Sequence, residues 1–152
     1  MIKYIVVLIM LFTNSAFAEE PVQLILENHR NGLKLTIKNV SKKSILINQR
    51  FALGGIYDES EVEFEIVNKE GISFPLQVQI KITCRLSEED IILLKPGITT
   101  FQYYQISRLV SYYGLTSGQY RVKAKYKSEC GLEKGIFEGS LESNWVAIEV
   151  KE

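Results

Sequence analysis

The chain has 152 residues, with 18 Lys and Arg against 18 Asp and Glu, and a single histidine. This balance argues against a general binder of nucleic acid or of anionic membranes, which normally carries a marked basic excess. One histidine, His29, and two cysteines give poor support to a zinc centre or a hydrolytic triad. His29 lies in a polar segment that predicts a solvated turn.

The first 18 residues have the three parts of a secretory signal peptide. Lys3 supplies a positive n-region, residues 4–12 form an apolar h-region, and residues 16–18 read Ala-Phe-Ala, a small-x-small cleavage site. No later apolar run approaches the roughly 20 residues of a spanning helix. We therefore predict a removed signal (1–18) and one exported domain (19–152), periplasmic or extracellular, with no transmembrane segment.

Apolar and polar residues alternate along most of the mature chain. Period two with one polar face predicts antiparallel strands that are packed on one side and solvated on the other. In chain order the predicted strands cover about residues 22–27, 33–38, 44–50, 61–66, 76–83, 91–94, 99–104, 120–126 and 146–150. Turn signals such as Asn31-Gly32 and Lys95-Pro96-Gly97 separate them. Residues 107–115 predict no more than one helical turn.

Eight or nine short strands in one domain predict an all-β fold, a two-sheet Greek-key immunoglobulin-like sandwich. Gly118 stands two residues before Tyr120, at the start of a predicted strand. This spacing is typical of a tyrosine corner, in which the ring is buried and its hydroxyl bonds to backbone upstream.

The two cysteines, Cys84 and Cys130, both lie in the exported part. In an oxidising compartment a lone pair predicts one disulfide, with two free thiols or half of a metal site as the alternatives. Val122 stands where an antibody-type domain has its second cysteine. The predicted bond is therefore a peripheral staple and not the usual bridge between sheets.

Two predicted strands carry charged stripes of opposite sign. The first stripe is Glu61, Glu63 and Glu65, and the second is Arg121, Lys123, Lys125 and Lys127. We interpret both as solvated faces whose charges can pair across strands or protect a sheet edge. The alternatives are a cation or acid–base site for the acidic stripe and an anionic partner for the basic one.

Four motifs follow one another along the chain: Leu33-x-Leu35-x-Ile37-x-Asn39, Leu94-Lys-Pro-Gly97, Gly118-x-Tyr120-x-Val122, and Ser143-Asn144 before the last strand. This order resembles an immunoglobulin-like module of bacterial secreted proteins, similar to domains that precede the catalytic unit of some secreted zinc metallopeptidases. The resemblance implies a fold more than an activity. The His-Glu-x-x-His sequence of such a catalytic unit is absent.

Aromatic residues give the functional hypothesis. Five of them fall within residues 101–113, and Tyr-rich surfaces are favoured in interfaces. We expect a non-enzymatic, cofactor-free module that binds another protein through loop ends and aromatic anchors. The expected anchors are Tyr103, Tyr104, Tyr112, Tyr113 and Trp145. The structural alternative is that these rings fill the ends of the sandwich. The functional alternatives are an inhibitor of a secreted protease, a carboxylate-driven hydrolase and a structural envelope subunit.

Overall fold

The computed structural model describes residues 20–54, 60–78, 85–128 and 135–151. The predicted signal sequence and the proposed disulfide partners Cys84 and Cys130 lie outside these ranges, as do residues 79–83 of one predicted strand.

The described chain forms nine β-strands, one α-helix and one 3-10 turn at Glu88–Asp90. The helix, α1, spans Ile106–Tyr113. The strands are β1 (Val22–His29), β2 (Gly32–Asn39), β3 (Ile45–Asn48), β4 (Val62–Asn68), β5 (Ile91–Leu94), β6 (Thr99–Gln105), β7 (Gly118–Ser128), β8 (Gly139–Glu142) and β9 (Val146–Val150). All pairings between these strands are antiparallel, and the all-β prediction is confirmed.

The strands form an all-β sandwich. The first sheet has the order β1-β2-β6, the second is built on β7 with β4 on one side and β8 and β9 on the other, and β3 pairs with β5. β1 lies close to all three of β7, β8 and β9 of the second sheet. The inward positions of the two larger sheets alternate with outward ones and are apolar, as period-two patterning requires. These buried residues include Leu24, Leu33, Leu35, Phe64, Ile66, Val122 and Ile148.

β8 and β9 follow one another along the same edge of β7. β8 pairs with residues 125–128 and β9 with residues 118–122, so three residues, 143–145, stand opposite two of β7. This is a β-bulge, which bends the strand and re-aims its side chains. Ser143 holds it, because its N–H donates to the Ala124 carbonyl (2.9 Å) and its Oγ accepts from the Ala124 N–H (2.9 Å).

Tyr120 has the geometry of a tyrosine corner. Its ring is buried, and its hydroxyl donates to the carbonyl oxygen of Thr116 (3.0 Å) and accepts from the Thr116 N–H (3.2 Å). Gly118, two residues upstream, begins β7 with a φ of 154°. These bonds fix the entry into β7 and thereby the register of the second sheet.

The structure corrects three details of the predicted elements. The helix is longer than the single turn predicted. It is capped by Gly114, which adopts a left-handed φ of 62° and donates its N–H to the Val110 carbonyl. β8 was missed because it is short and contains one large apolar residue, Leu141. Residues 76–78 are not in a strand, although the Gln77 N–H donates to the Tyr112 carbonyl (2.8 Å).

Within the described ranges, no helix has the length and apolar character needed to cross a membrane.

Candidate functional site

Two of the five predicted aromatic anchors are buried, so their assignment to a binding surface is wrong. Tyr104 is 6% exposed because it points inward from β6, where its hydroxyl donates to the Phe51 carbonyl (2.8 Å). Tyr113 is 1% exposed on the inner side of α1, and its hydroxyl accepts from the Phe64 N–H (3.1 Å). Both rings belong to the core.

The other three predicted anchors differ in their environment. Tyr112 is half-buried, while Tyr103 and Trp145 are 46% and 38% exposed. Tyr103 lies on the outward face of the first sheet and Trp145 in the bulge of the second, so the structure does not bring the predicted anchors together.

A pair of adjacent rings forms the most exposed aromatic surface among the described residues. Phe101 and Tyr103 are 47% and 46% exposed on the outward face of β6, with ring centroids 5.2 Å apart in an edge-to-face arrangement. The imidazole of His29 stacks on Tyr103 with centroids 4.7 Å apart, and the Lys34 ammonium lies 4.7 Å from the Phe101 centroid. We call His29, Lys34, Phe101 and Tyr103 the aromatic face.

The strand register explains this grouping. His29 is opposite Gly32, and Lys34 is opposite Tyr103. Because Gly32 has no side chain, His29 and Tyr103 can meet above it. A Cβ at position 32 would also lie 2.5 Å from the Tyr104 carbonyl oxygen, so glycine is required there. His29 is therefore a β1 residue packed on an aromatic ring, and its prediction as a solvated turn residue is wrong.

One hydroxyl group beneath this surface has no partner. Thr36 is 7% exposed and pairs across the first sheet with Ile25 and Phe101. Its Oγ1 makes no hydrogen bond to any described residue. A buried hydroxyl without a partner carries a desolvation cost.

Trp145 lies on the outward face of the second sheet, where two basic side chains surround its ring. Arg121 and Lys123 approach its ring at 5.3 and 5.1 Å from the centroid. Lys123 also binds Glu142 (2.7 Å) and Glu65 (3.4 Å). These hydrogen bonds, with Glu142 first, raise the pKa of Lys123, and Lys123 in turn lowers the pKa of Glu142.

The charged stripes of the second sheet pair with each other, as one of the sequence interpretations predicted. Glu65 binds Lys125 (3.3 Å) as well as Lys123, and the register places β4 beside β7. Glu61 departs from this pattern because it is 2% exposed. Its carboxylate binds Arg50 (2.5 Å), whose side chain is partly exposed, so it belongs to a partly buried ion pair and not to a solvated stripe.

Among residues 20–54, 60–78, 85–128 and 135–151, no group of three or more His, Cys, Asp or Glu side chains is arranged to hold a metal ion. No protein-family model matches the chain, and no curated protein matches its sequence. The arrangement itself is suited to binding, because rigid strands present two partly exposed rings beside a cation and an imidazole.

The aromatic face was only partly visible in the sequence. Alternation in the second predicted strand places Lys34 and Thr36 on the face opposite to that of the buried Leu33 and Leu35. The sequence alone therefore predicts that these two side chains point outward. The pairing of β2 with β6 was not, because these strands are separated by about sixty residues of chain and no local pattern reports their register.

Proposed function

We propose that the protein is an exported, non-enzymatic binding module with an immunoglobulin-like sandwich, and that it recognises a partner protein through the aromatic face. The observation that carries this proposal is the pair of half-exposed rings, Phe101 and Tyr103, on one strand. Partly exposed aromatic rings are enriched in the cores of protein interfaces, where they bury a large area with few rotatable bonds.

The position of these rings on a sheet supports the same conclusion. β6 is hydrogen-bonded to β2 along residues 99–105, so the backbone beneath the rings is already ordered before a partner arrives. Binding to a preorganised surface costs less entropy than binding to a loop.

The aromatic face is a better candidate than Trp145. The Trp145 ring already interacts with Arg121 and Lys123, and Lys123 is held by Glu65 and Glu142. A partner would have to displace these contacts to reach the indole ring. Phe101 and Tyr103 have one cation and one imidazole beside them and retain nearly half of their exposure.

Affinity capture with matched variants tests the proposal. The immobilised mature chain is exposed to the envelope and secreted extract of its own cell, in parallel with a Phe101→Ser/Tyr103→Ser variant and an Arg121→Ser/Trp145→Ser control. We expect one protein to be retained by the wild type and by the control but lost from the Phe101→Ser/Tyr103→Ser variant. Equal retention by all three chains, or loss with the control alone, contradicts the proposal.

The same experiment separates the competing functions. If the retained protein is a protease whose activity falls on binding, the inhibitor hypothesis becomes the specific form of the proposal. If the chain retains copies of itself, an assembly role is favoured instead. The variants must unfold at the wild-type urea concentration, which is expected because both substituted rings are exposed.

A further inference from the structure

A second surface lies at the end of the sandwich where two turns meet. The first turn, residues 39–43, follows β2, and the second, residues 95–98, joins β5 to β6. The two backbones are hydrogen-bonded to each other, because the Asn39 N–H donates to the Ile98 carbonyl (3.1 Å) and the Gly97 N–H donates to the Asn39 carbonyl (2.9 Å).

The Asn39 side chain makes this end of the molecule rigid. Asn39 is fully buried, and its amide nitrogen donates to the carbonyl oxygens of Lys43 (2.7 Å) and Leu94 (2.8 Å). Its amide oxygen accepts from both the N–H (2.9 Å) and the hydroxyl (2.8 Å) of Ser41. One buried side chain therefore fixes both turns relative to each other.

The tips of these turns are aliphatic and basic. Val40 and Ile98 are 47% and 52% exposed. Around them lie three exposed lysines and one half-buried lysine of β2; these four are Lys42, Lys43, Lys95 and Lys38. We call these six residues the basic end.

The lysines of the basic end have no ion-pair partner among the described residues. None of the four lies within salt-bridge distance of a carboxylate belonging to a described residue. Two acids, Glu20 and Glu142, line the same surface hollow as Val40, and Glu142 is paired with Lys123. The balanced charge of the whole chain thus conceals a local cluster of one sign.

We propose that the basic end docks on the surface of a bilayer that contains anionic lipids. Lysine ammonium groups near such a surface contribute about 1 kcal/mol each, and aliphatic side chains between them can enter the boundary of the acyl region. The composition favours lipid over an acidic protein, because protein interfaces are enriched in aromatic residues and Arg and depleted in Lys. The basic end has four Lys, Val and Ile, with no Arg and no aromatic ring.

This inference is independent of the partner-binding proposal, since the two surfaces share no residue. Vesicle co-sedimentation of the mature chain tests it, with equimolar phosphatidylcholine and phosphatidylglycerol against phosphatidylcholine alone. We expect binding to the anionic vesicles only, and loss of that binding in high salt. Lys42→Gln/Lys43→Gln/Lys95→Gln should weaken it roughly a hundredfold. Val40→Ser/Ile98→Ser should weaken it about tenfold while the salt dependence remains.

The control removes the same charge elsewhere. Lys69, Arg108 and Lys151 are exposed and lie outside the basic end, so Lys69→Gln/Arg108→Gln/Lys151→Gln should bind the anionic vesicles as the wild type does. Failure of the wild type to bind anionic vesicles in low salt overturns the proposal, and so does an equal loss in the control. Binding to soluble polyglutamate but not to vesicles would assign the basic end to an acidic protein instead.

Discussion

The carboxylate of Glu61 is held by four hydrogen bonds at the edge of the core. It accepts from the Asn48 amide (2.9 Å), from the Arg50 guanidinium (2.5 and 3.2 Å) and from the Ala52 N–H (3.0 Å). In the sequence Glu61 has the same spacing as Glu63 and Glu65. Its environment differs from theirs because β4 begins one residue later, at Val62. The Glu61 N–H donates to the Ala52 carbonyl and not to a neighbouring strand of the second sheet.

Replacement of Glu61 should be strongly destabilising. Glu61→Ala leaves the buried Asn48 amide without its acceptor and breaks the ion pair with the partly exposed Arg50, which costs at least about 1–3 kcal/mol of the free energy of unfolding. The matched control is Glu63→Ala on the exposed side of β4, where the expected change is within about 0.5 kcal/mol. Urea unfolding measures both variants. A Glu61→Ala value as small as that of the control would show that this ion pair does not stabilise the fold.

At the scale of elements, Asn144 joins the two sheets. Its side-chain amide accepts from the Leu26 N–H (3.0 Å) and donates to the Leu26 carbonyl (2.9 Å), in the way that a neighbouring strand would. Leu26 lies in the middle of β1, which is an edge strand of the first sheet. The β-bulge between β8 and β9 places Asn144 there, so a local irregularity of one sheet closes the edge of the other.

Asn144→Ala should therefore destabilise the protein and expose that edge. Two backbone groups of Leu26 lose their partners, which costs about 1–3 kcal/mol in urea unfolding, and amide exchange at Leu26 should accelerate. Asn28→Ala removes an exposed side chain that makes one hydrogen bond to β9, to the Ala147 carbonyl (3.0 Å), and should cost less. Unchanged exchange at Leu26 in Asn144→Ala would mean that water or another group replaces the amide without loss.

Most strands could be located from the sequence. The grouping of the residues of the aromatic face could not, because it depends on how the strands pair. β9 begins and ends where its alternation predicts, and β5 was located as a short run of four apolar residues before the Lys95-Pro96-Gly97 turn. The faces of Tyr103 and Tyr104 are opposite by parity alone, but which of them is inside depends on the pairing of β6 with β2. That pairing is a long-range property, set by the packing of two sheets and not by local propensity.

At the scale of the whole molecule, the two proposed surfaces lie toward opposite ends of the first sheet. Lys38 pairs with Thr99 at one end, and Gly32 pairs with Gln105 at the other, next to His29 and Tyr103. These two rows are six residues of strand apart, or about 20 Å, but Phe101 of the aromatic face pairs with Thr36, only two residues, or about 7 Å, from the Lys38 row. A chain resting on a membrane through its basic end would therefore keep His29 and Tyr103 accessible from the side, with Phe101 the ring closest to the bilayer.

The core of the same sandwich contains tyrosines whose ionisation is opposed by burial. Burial raises the pKa of Tyr113 to about 12, against an ordinary value of 10.0, and the Phe64 N–H bond only partly offsets this. Burial also raises the pKa of Tyr104 and Tyr126, and Glu61 adds to both shifts. The folded state keeps these hydroxyls protonated at a pH where the unfolded chain releases its protons.

The contribution of these tyrosines to stability should consequently be constant below about pH 10 and fall above it, because the unfolded state then binds fewer protons than the folded state. From Tyr113 alone the loss between about pH 10 and about pH 12 is roughly 2–3 kcal/mol, at 1.4 kcal/mol for each unit of pKa difference. Urea unfolding across this range should show a shallower fall for Tyr113→Phe than for the wild type. If Tyr113→Phe keeps the wild-type slope, the alkaline loss arises elsewhere, for example at Lys123, whose raised pKa has the same sign of effect.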